Sequence, residues 1–104
     1  MLRIYDVCLE MVADVGRLAE GIGLRDRDLA RQLRRSSVSV VLNVAEGSAV
    51  RDGRRRTRYG DALGSALETQ AGLQAAVAIG YLKAMPPKTQ ARFNQIIGTL
   101  TKVT

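Results

Sequence analysis

Arginine is the residue type whose number and spacing could do chemistry in this sequence of 104 residues. Residues 25–58 hold ten arginines against four carboxylates, so this third of the chain carries a net charge of +6, equal to that of the whole chain. Guanidinium groups bind phosphate through paired hydrogen bonds and stack on nucleobases. The segment is therefore a candidate nucleic-acid-binding surface, and its candidate ligands for phosphate are Arg27, Arg31, Arg34, Arg35, Arg51, Arg54, Arg55, Arg56 and Arg58.

The spacing of these arginines supports that interpretation. Arg27, Arg31 and Arg34 are four and three residues apart, which places them on one face of a helix. Residues 54–56 are three consecutive arginines at the start of a predicted helix, where the helix dipole disfavours positive charge, and contact with phosphate would explain them. Binding of this kind depends on charge and shape more than on sequence, and it weakens steeply with salt. A solvated helix face is the alternative interpretation.

Residues that commonly carry catalysis are scarce. The sequence has no histidine and one cysteine, which excludes histidine-based triads and histidine metal ligands. Cys8 lies on the apolar seam of the first predicted helix, so we expect a buried, unreactive thiol. The glutamates have no histidine with which to form the usual carboxylate-bridged metal site of a helical bundle. We therefore expect a protein that is not an enzyme and that holds no metal and no cofactor.

Three polar residues are predicted to lie near the core, namely Asn43, Glu46 and Glu68. Their expected role is structural, through hydrogen bonds between helices or an ion pair with Arg35 that fixes the register of the helices.

Helices must position all these side chains. Apolar residues recur at intervals of three and four over residues 2–20, and this pattern predicts a first amphipathic helix that ends at the glycines of residues 21–23. Asp26 or Asp28 can cap the start of a second helix. The seam of the first helix is Ile4, Cys8, Met11, Val15, Leu18 and Ile22.

Residues 38–45 of the second helix are apolar almost all round. A strand over residues 37–42 is an alternative because valine favours sheets, but a lone strand is not stable. A helix that is apolar on every side must bury more than one face. We expect another copy of the chain to cover the second face.

The remaining sequence predicts a polar loop over residues 47–53, then a third helix of about thirty residues that ends at Pro86-Pro87. Glycine and alanine are frequent in the third helix, which predicts close approach of neighbouring helices. A fourth helix carries the apolar stripe Phe93, Ile96, Ile97, Leu100 and Val103. The expected fold is all-α, an antiparallel up-and-down four-helix bundle that forms a single domain over residues 1–104.

Charged residues also bear on location. Arg3, Asp6, Glu10 and Asp14 interrupt the apolar residues near the N-terminus, unlike a signal peptide. The sequence has no apolar run long enough for a membrane span. A single cysteine is typical of a reducing compartment, so we expect a cytoplasmic protein without a membrane partner.

Several motifs resemble those of a bacterial four-helix bundle family. The main ones are Gln32-Leu33-Arg34-Arg35-Ser36-Ser37-Val38-Ser39-Val40 and Asn43-Val44-Ala45-Glu46-Gly47. Further matches are Ile4-Tyr5-Asp6, Ala62-Leu63-Gly64-Ser65-Ala66-Leu67-Glu68 and Gly80-Tyr81-Leu82. Members of that family include proteins encoded in intervening sequences of large-subunit ribosomal RNA genes and the accessory variability determinant of diversity-generating retroelements.

The resemblance implies a homopentameric barrel of bundles with a basic surface, a role with nucleic acid and, in the retroelement branch, a reverse transcriptase as partner. Most members of the family have no assigned activity. We therefore expect a non-catalytic homo-oligomer, favouring a pentamer, that binds RNA or DNA through its arginines, with a reverse transcriptase or another nucleic-acid enzyme as a further partner. The alternative is a protein-interaction scaffold or accessory subunit without direct nucleic-acid binding.

Overall fold

The computed structural model describes residues 2–104 and forms four helices from them. They are α1 (Ile4–Gly23), α2 (Arg27–Ala49), α3 (Gly53–Ile79) and α4 (Pro87–Val103). No strand occurs within this range, so the all-α prediction is confirmed and the alternative strand at residues 37–42 is wrong. None of the helices in the described part of the chain is long and apolar enough to cross a membrane. The predicted single domain also includes Met1, which lies outside the described residues.

Each helix packs against its neighbours in chain order, and α4 also packs against α1, so the four helices enclose one core. The predicted seam of α1 is buried, except that Leu18 is half-buried and Ala19 takes its place. The buried face of α3 carries three alanines and Thr69 beside two larger side chains, Tyr59 and Leu73. The largest fully buried side chains are Met11, Val15, Ile22, Leu33, Val40, Val44, Leu73, Phe93, Ile96 and Leu100.

Aspartates cap the starts of α2 and α3. A carboxylate oxygen of Asp26 accepts a hydrogen bond from the backbone N–H of Leu29 at 2.9 Å, which confirms one of the two predicted caps. Asp52 accepts from the backbone N–H of Arg54 at the same distance. The polar loop predicted over residues 47–53 is wrong in extent, because α2 continues to Ala49. Gly47 lies in the last turn of α2 and is buried against α3.

Helix α3 ends before Pro86-Pro87, where the sequence predicted its end. Gly80 has a φ of 96°, in the left-handed region that glycine adopts without steric cost. The backbone N–H groups of Gly80 and Tyr81 both donate to the carbonyl of Ala76, at 3.1 Å and 2.9 Å. These hydrogen bonds end the helix before the prolines are reached, whereas Pro87 does begin α4 as predicted.

Two glycines allow α2 and α3 to approach closely. A Cβ added at Gly47 would lie 2.6 Å from a ring carbon of Tyr59, and one added at Gly72 would lie 2.7 Å from a methyl carbon of Leu33. Glycine inside a helix costs about 0.5–1 kcal/mol relative to alanine. Packing between the two helices offsets that cost, as was predicted for α3.

A buried carboxylate joins α1 to α4. Asp14 is only 5% exposed, and its two oxygens accept hydrogen bonds from Arg17 at 2.6 Å, from Thr89 at 3.0 Å and from Arg92 at 2.5 Å. Arg92 also contacts Glu10 at 3.0 Å. The hydrogen bond with Asp14, with the charges of both carboxylates, raises the pKa of Arg92. This cluster is the main polar link between the first and last helices.

Candidate nucleic-acid interface

Four of the candidate residues lie together along α2. Arg27, Arg31, Arg34 and Arg35, which we call the α2 arginines, line a depression of about 390 Å³ between α1 and α2, and all four are exposed. Arg31 lies 3.8 Å from the carboxylate of Asp28. The other three α2 arginines form no ion pair within residues 2–104. The predicted sharing of one helix face is confirmed.

Arg58 joins the α2 arginines from α3. It lines a second cavity, of about 610 Å³, together with Arg34 and Arg35. Its Nε is 3.2 Å from the carboxylate of Glu46, and the two side chains are 48% and 56% exposed. Ion pairs this exposed contribute about 0–1 kcal/mol, so a competing phosphate could displace the carboxylate at little cost.

The remaining candidates, Arg51, Arg54, Arg55 and Arg56, lie at the turn between α2 and α3, and we call them the turn arginines. The 23 residues of α2 span roughly 35 Å at 1.5 Å per residue, and this length separates the turn from Arg27. Arg27 therefore lies far from the turn, whereas Arg58, one helical turn after Arg54 on α3, connects the α2 arginines with the turn arginines.

Arg55 has a structural contact that the sequence did not predict. Its guanidinium donates to the backbone carbonyls of Val50 at 2.7 Å and Gly47 at 3.1 Å. The last carbonyls of a helix lack partners within it and carry partial negative charge, which a cation stabilises. Arg55 lies at the start of α3, where the helix dipole disfavours positive charge. Its hydrogen bonds to the end of α2 explain this position without a contact to phosphate.

Arg54 is also occupied, because its Nε contacts the carboxylate of Asp52 at 3.0 Å. The hydrogen bond from this side chain lowers the pKa of Asp52. Arg51 and Arg56 are exposed and have no ion pair within the part of the chain that the structure describes. These two are the turn arginines whose charge remains uncompensated.

The three polar residues predicted near the core occupy different environments. Asn43 is half-buried, and its Nδ2 donates to the backbone oxygen and the Oγ of Ser39, at 3.0 Å and 3.1 Å. Glu46 is exposed and links α2 to α3 through its ion pair. Glu68 is exposed and forms no ion pair within residues 2–104. The prediction that Glu46 and Glu68 lie near the core is wrong, because the helix faces that carry them are not covered. Neither glutamate pairs with Arg35.

Hydroxyl groups form further polar contacts between α2 and α3. Thr69 Oγ1 donates to Ser36 Oγ at 2.7 Å, and both residues are buried. The Oγ atoms of Ser39 and Ser65 are 2.9 Å apart. The sequence motifs did not point to these contacts, although Thr69 lies at helical spacing between the buried Ala66 and Leu73, where a polar side chain needs a buried partner.

The buried thiol predicted for Cys8 is confirmed, since the residue has no exposed surface. Burial raises the pKa of Cys8 to about 12. Because the thiolate is the reactive form, we expect the folded protein to react with an aromatic disulfide reagent at least about 100-fold more slowly than the urea-unfolded chain. The release of the coloured thiol measures both rates at one pH, and equal rates would contradict this prediction.

The family profile described as 23S rRNA-intervening sequence protein matches residues 1–102. The chain belongs to this family. The resemblance carried by the motifs of α2 and α3 is therefore confirmed over nearly the whole sequence. No functionally curated protein matches the chain at a level that indicates a relationship.

One solved structure similar to this intervening-sequence protein is a crystal structure of a protein with unknown function from the S23 ribosomal protein family of Bacteroides thetaiotaomicron. The two chains are 18% identical, the match covers 96% of each, and the TM-score is 0.79. At this identity the similarity shows that the fold is shared. The four-helix arrangement thus persists although most side chains have changed.

Proposed function

We propose that this member of the 23S rRNA-intervening sequence family is a non-catalytic, oligomeric helical bundle that binds RNA or DNA through its exposed arginines. The α2 arginines are the observation that carries the proposal, because four guanidinium groups line one depression and three of them have no ion pair within residues 2–104. No ion pair within residues 2–104 holds those three, so phosphate need not displace a paired carboxylate there, although Glu20 also lines the depression. Each contact with phosphate releases a counterion, so clustered cations give strong, salt-dependent binding.

The proposal includes an antiparallel up-and-down order of the helices. Contacts at increasing residue numbers along α2 fall at decreasing residue numbers along α3. This order supports an antiparallel arrangement of the two helices. The contacting pairs are Ser36 with Thr69, Ser39 with Ser65, and Gly47 with Tyr59.

The oligomer that we propose is a homopentamer. The bundle of one chain buries Val40 and Val44 but leaves Val38 and Leu42 exposed by 42% and 56%. A second copy would cover these two side chains, and a ring would bring the arginine-rich segments of its subunits into one positive field. Light scattering at micromolar concentration is expected to give five times the 11.3 kDa of one chain. A stable monomer would contradict the assembly.

The same proposal places the protein in the cytoplasm, where a single buried thiol needs no partner. A reverse transcriptase or another enzyme that acts on nucleic acid is the proposed protein partner, and the family resemblance supports it. The α2 arginines would then hold the nucleic acid while the partner performs the chemistry.

Removal of charge from the α2 arginines tests the binding surface. The variant Arg27→Gln/Arg34→Gln/Arg35→Gln is expected to bind mixed-sequence RNA and DNA at least about tenfold more weakly at physiological salt. Its plot of log affinity against log salt should be shallower by about 0.7–0.9 for each lost contact. Fluorescence anisotropy with labelled oligonucleotides over a salt series measures both quantities.

A matched control removes the same charge elsewhere. Arg3, Lys83 and Lys88 are exposed and lie outside the arginine-rich segment, so their joint replacement by glutamine is expected to weaken binding much less. Equal losses in the two triple variants would contradict the assignment of the surface. If the unmodified protein binds no nucleic acid at micromolar concentration, the function as a scaffold or accessory subunit replaces the one proposed.

A further inference from the structure

A groove of about 510 Å³ runs between α2 and α3, beside the α2 arginines. Every residue that lines it is polar, and the lining includes two arginines, Arg31 and Arg35, two serines, Ser39 and Ser65, and two carboxylates, Asp28 and Glu68. A surface without apolar side chains gains little by packing against an apolar partner. The lining therefore fits a small polar group that both donates and accepts hydrogen bonds.

Two arginines form one wall of the groove. Arg31 and Arg35 are four residues apart on α2, which stacks them on one face about 6 Å apart along the helix axis. The contact of Arg31 with Asp28 is long, at 3.8 Å, and both side chains are largely exposed, so it holds the guanidinium weakly. Both guanidinium groups are available for the paired hydrogen bonds that arginine makes with phosphate.

The hydroxyl groups of Ser39 and Ser65 supply one more donor. Their oxygens are 2.9 Å apart, and Ser39 Oγ also accepts a hydrogen bond from Asn43 at 3.1 Å. Each hydroxyl has one proton, and the bond between the two serines uses one of the two protons. The other proton has no acceptor among the hydrogen bonds within residues 2–104. The groove can therefore donate it to an oxygen of a ligand.

Of the two carboxylates in the groove, Asp28 contacts Arg31, whereas Glu68 is the one that a site for phosphate alone does not explain. Its carboxylate lines the same groove, forms no ion pair in the described part of the chain and would repel a phosphate. An ionised carboxylate only accepts hydrogen bonds, so its complement in a ligand is a hydroxyl or an amine. In dinucleotide sites a carboxylate takes this role toward the 2′-hydroxyl of ribose. Guanidinium and carboxylate groups in one groove match the phosphate and the sugar of a ribonucleotide.

We propose that this groove binds a ribonucleotide unit of RNA, with Arg31 and Arg35 on its phosphate and Glu68 accepting a hydrogen bond from its 2′-hydroxyl. The inference rests on the proposed nucleic-acid function and deepens it, because it makes the protein select RNA over DNA. DNA would place the same phosphate near Glu68, but it lacks the 2′-hydroxyl that donates a hydrogen bond to the carboxylate. The 2′-hydroxyl is the group by which proteins distinguish the two nucleic acids at a given site.

The test compares single-stranded RNA, DNA and 2′-O-methyl RNA of one sequence. The unmodified protein is expected to bind RNA about tenfold or more tightly than DNA. The 2′-O-methyl RNA should bind like DNA, because its 2′ oxygen has no proton to donate. Glu68→Ala is expected to bring the ratio of RNA to DNA affinity close to one, mainly by strengthening DNA binding.

Asp61→Ala provides the matched control, since Asp61 is exposed on α3, does not line the groove and carries the same charge. We expect it to raise both affinities slightly and to leave their ratio unchanged. Equal affinities of the unmodified protein for RNA and DNA would overturn this inference and leave the proposed function standing. Selectivity that survives Glu68→Ala, or that 2′-O-methyl RNA retains, would also overturn it. Failure to bind any of the three strands would instead remove the proposed function.

Discussion

Replacement of Asp14 by alanine is expected to lower the free energy of unfolding by about 1–3 kcal/mol. The substitution removes the buried acceptor that holds Arg17, Thr89 and Arg92. It leaves the Thr89 hydroxyl buried without its partner, and it leaves Arg92 with Glu10 as its one remaining carboxylate. A domain of this size is stable by about 5–15 kcal/mol, so the loss would remove a large part of the total.

Urea denaturation followed by circular dichroism measures this effect. Asp61→Ala is the matched control, because Asp61 is exposed inside α3, away from the helix ends, and forms no ion pair within residues 2–104. The control is expected to change stability by less than about 0.5 kcal/mol. Similar midpoints for the two variants would show that the buried cluster does not hold α4 against α1.

Replacement of Gly47 by alanine is expected to destabilise the protein by about 1–3 kcal/mol. The added Cβ would lie 2.6 Å and 2.7 Å from two ring carbons of Tyr59 and 3.2 Å from the Cβ of Arg58. The Tyr59 ring cannot move away freely, because it is buried and its hydroxyl lies 3.1 Å from Ser48 Oγ. Helix propensity alone predicts the opposite sign, a gain of about 0.5–1 kcal/mol.

Gly64→Ala distinguishes packing from propensity. Gly64 also lies inside a helix, but nothing would lie within 4 Å of a Cβ added there. We expect this variant to gain about 0.4–1 kcal/mol in the same urea titration. If both alanines stabilise the protein, the close approach of α2 and α3 at Tyr59 is not the reason for glycine at position 47.

The helices and their buried faces could be predicted because the signals are local. The seam of α1, the apolar stripe of α4 and the cap at Asp26 each depend on residues a few positions apart, and the structure confirms them. The errors lie at helix ends. At the end of α3, Gly80 and Pro86 both give stop signals, and the glycine acts first because it satisfies the last carbonyls of the helix.

The roles of individual charged residues were harder to predict, because an ion pair depends on distances across the fold. Arg92 and Asp14 are 78 positions apart in the sequence and meet only because α4 closes on α1. The sequence makes Arg55 a candidate ligand for phosphate, whereas in the fold its guanidinium donates to the carbonyls at the end of α2. Sequence composition cannot distinguish an arginine that caps a helix from one that faces solvent.

The sequence by itself determined four amphipathic helices and the concentration of arginine in residues 25–58, because both properties depend only on the order of residues along the chain. The tertiary structure alone decided which of those arginines remain unpaired and that Glu68 shares a groove with Arg31 and Arg35. The physical reason is that hydrogen bonds and ion pairs act over a few ångströms. Contacts between helices over such distances are set by how the helices pack together. The spacing of residues within one helix does not determine that packing.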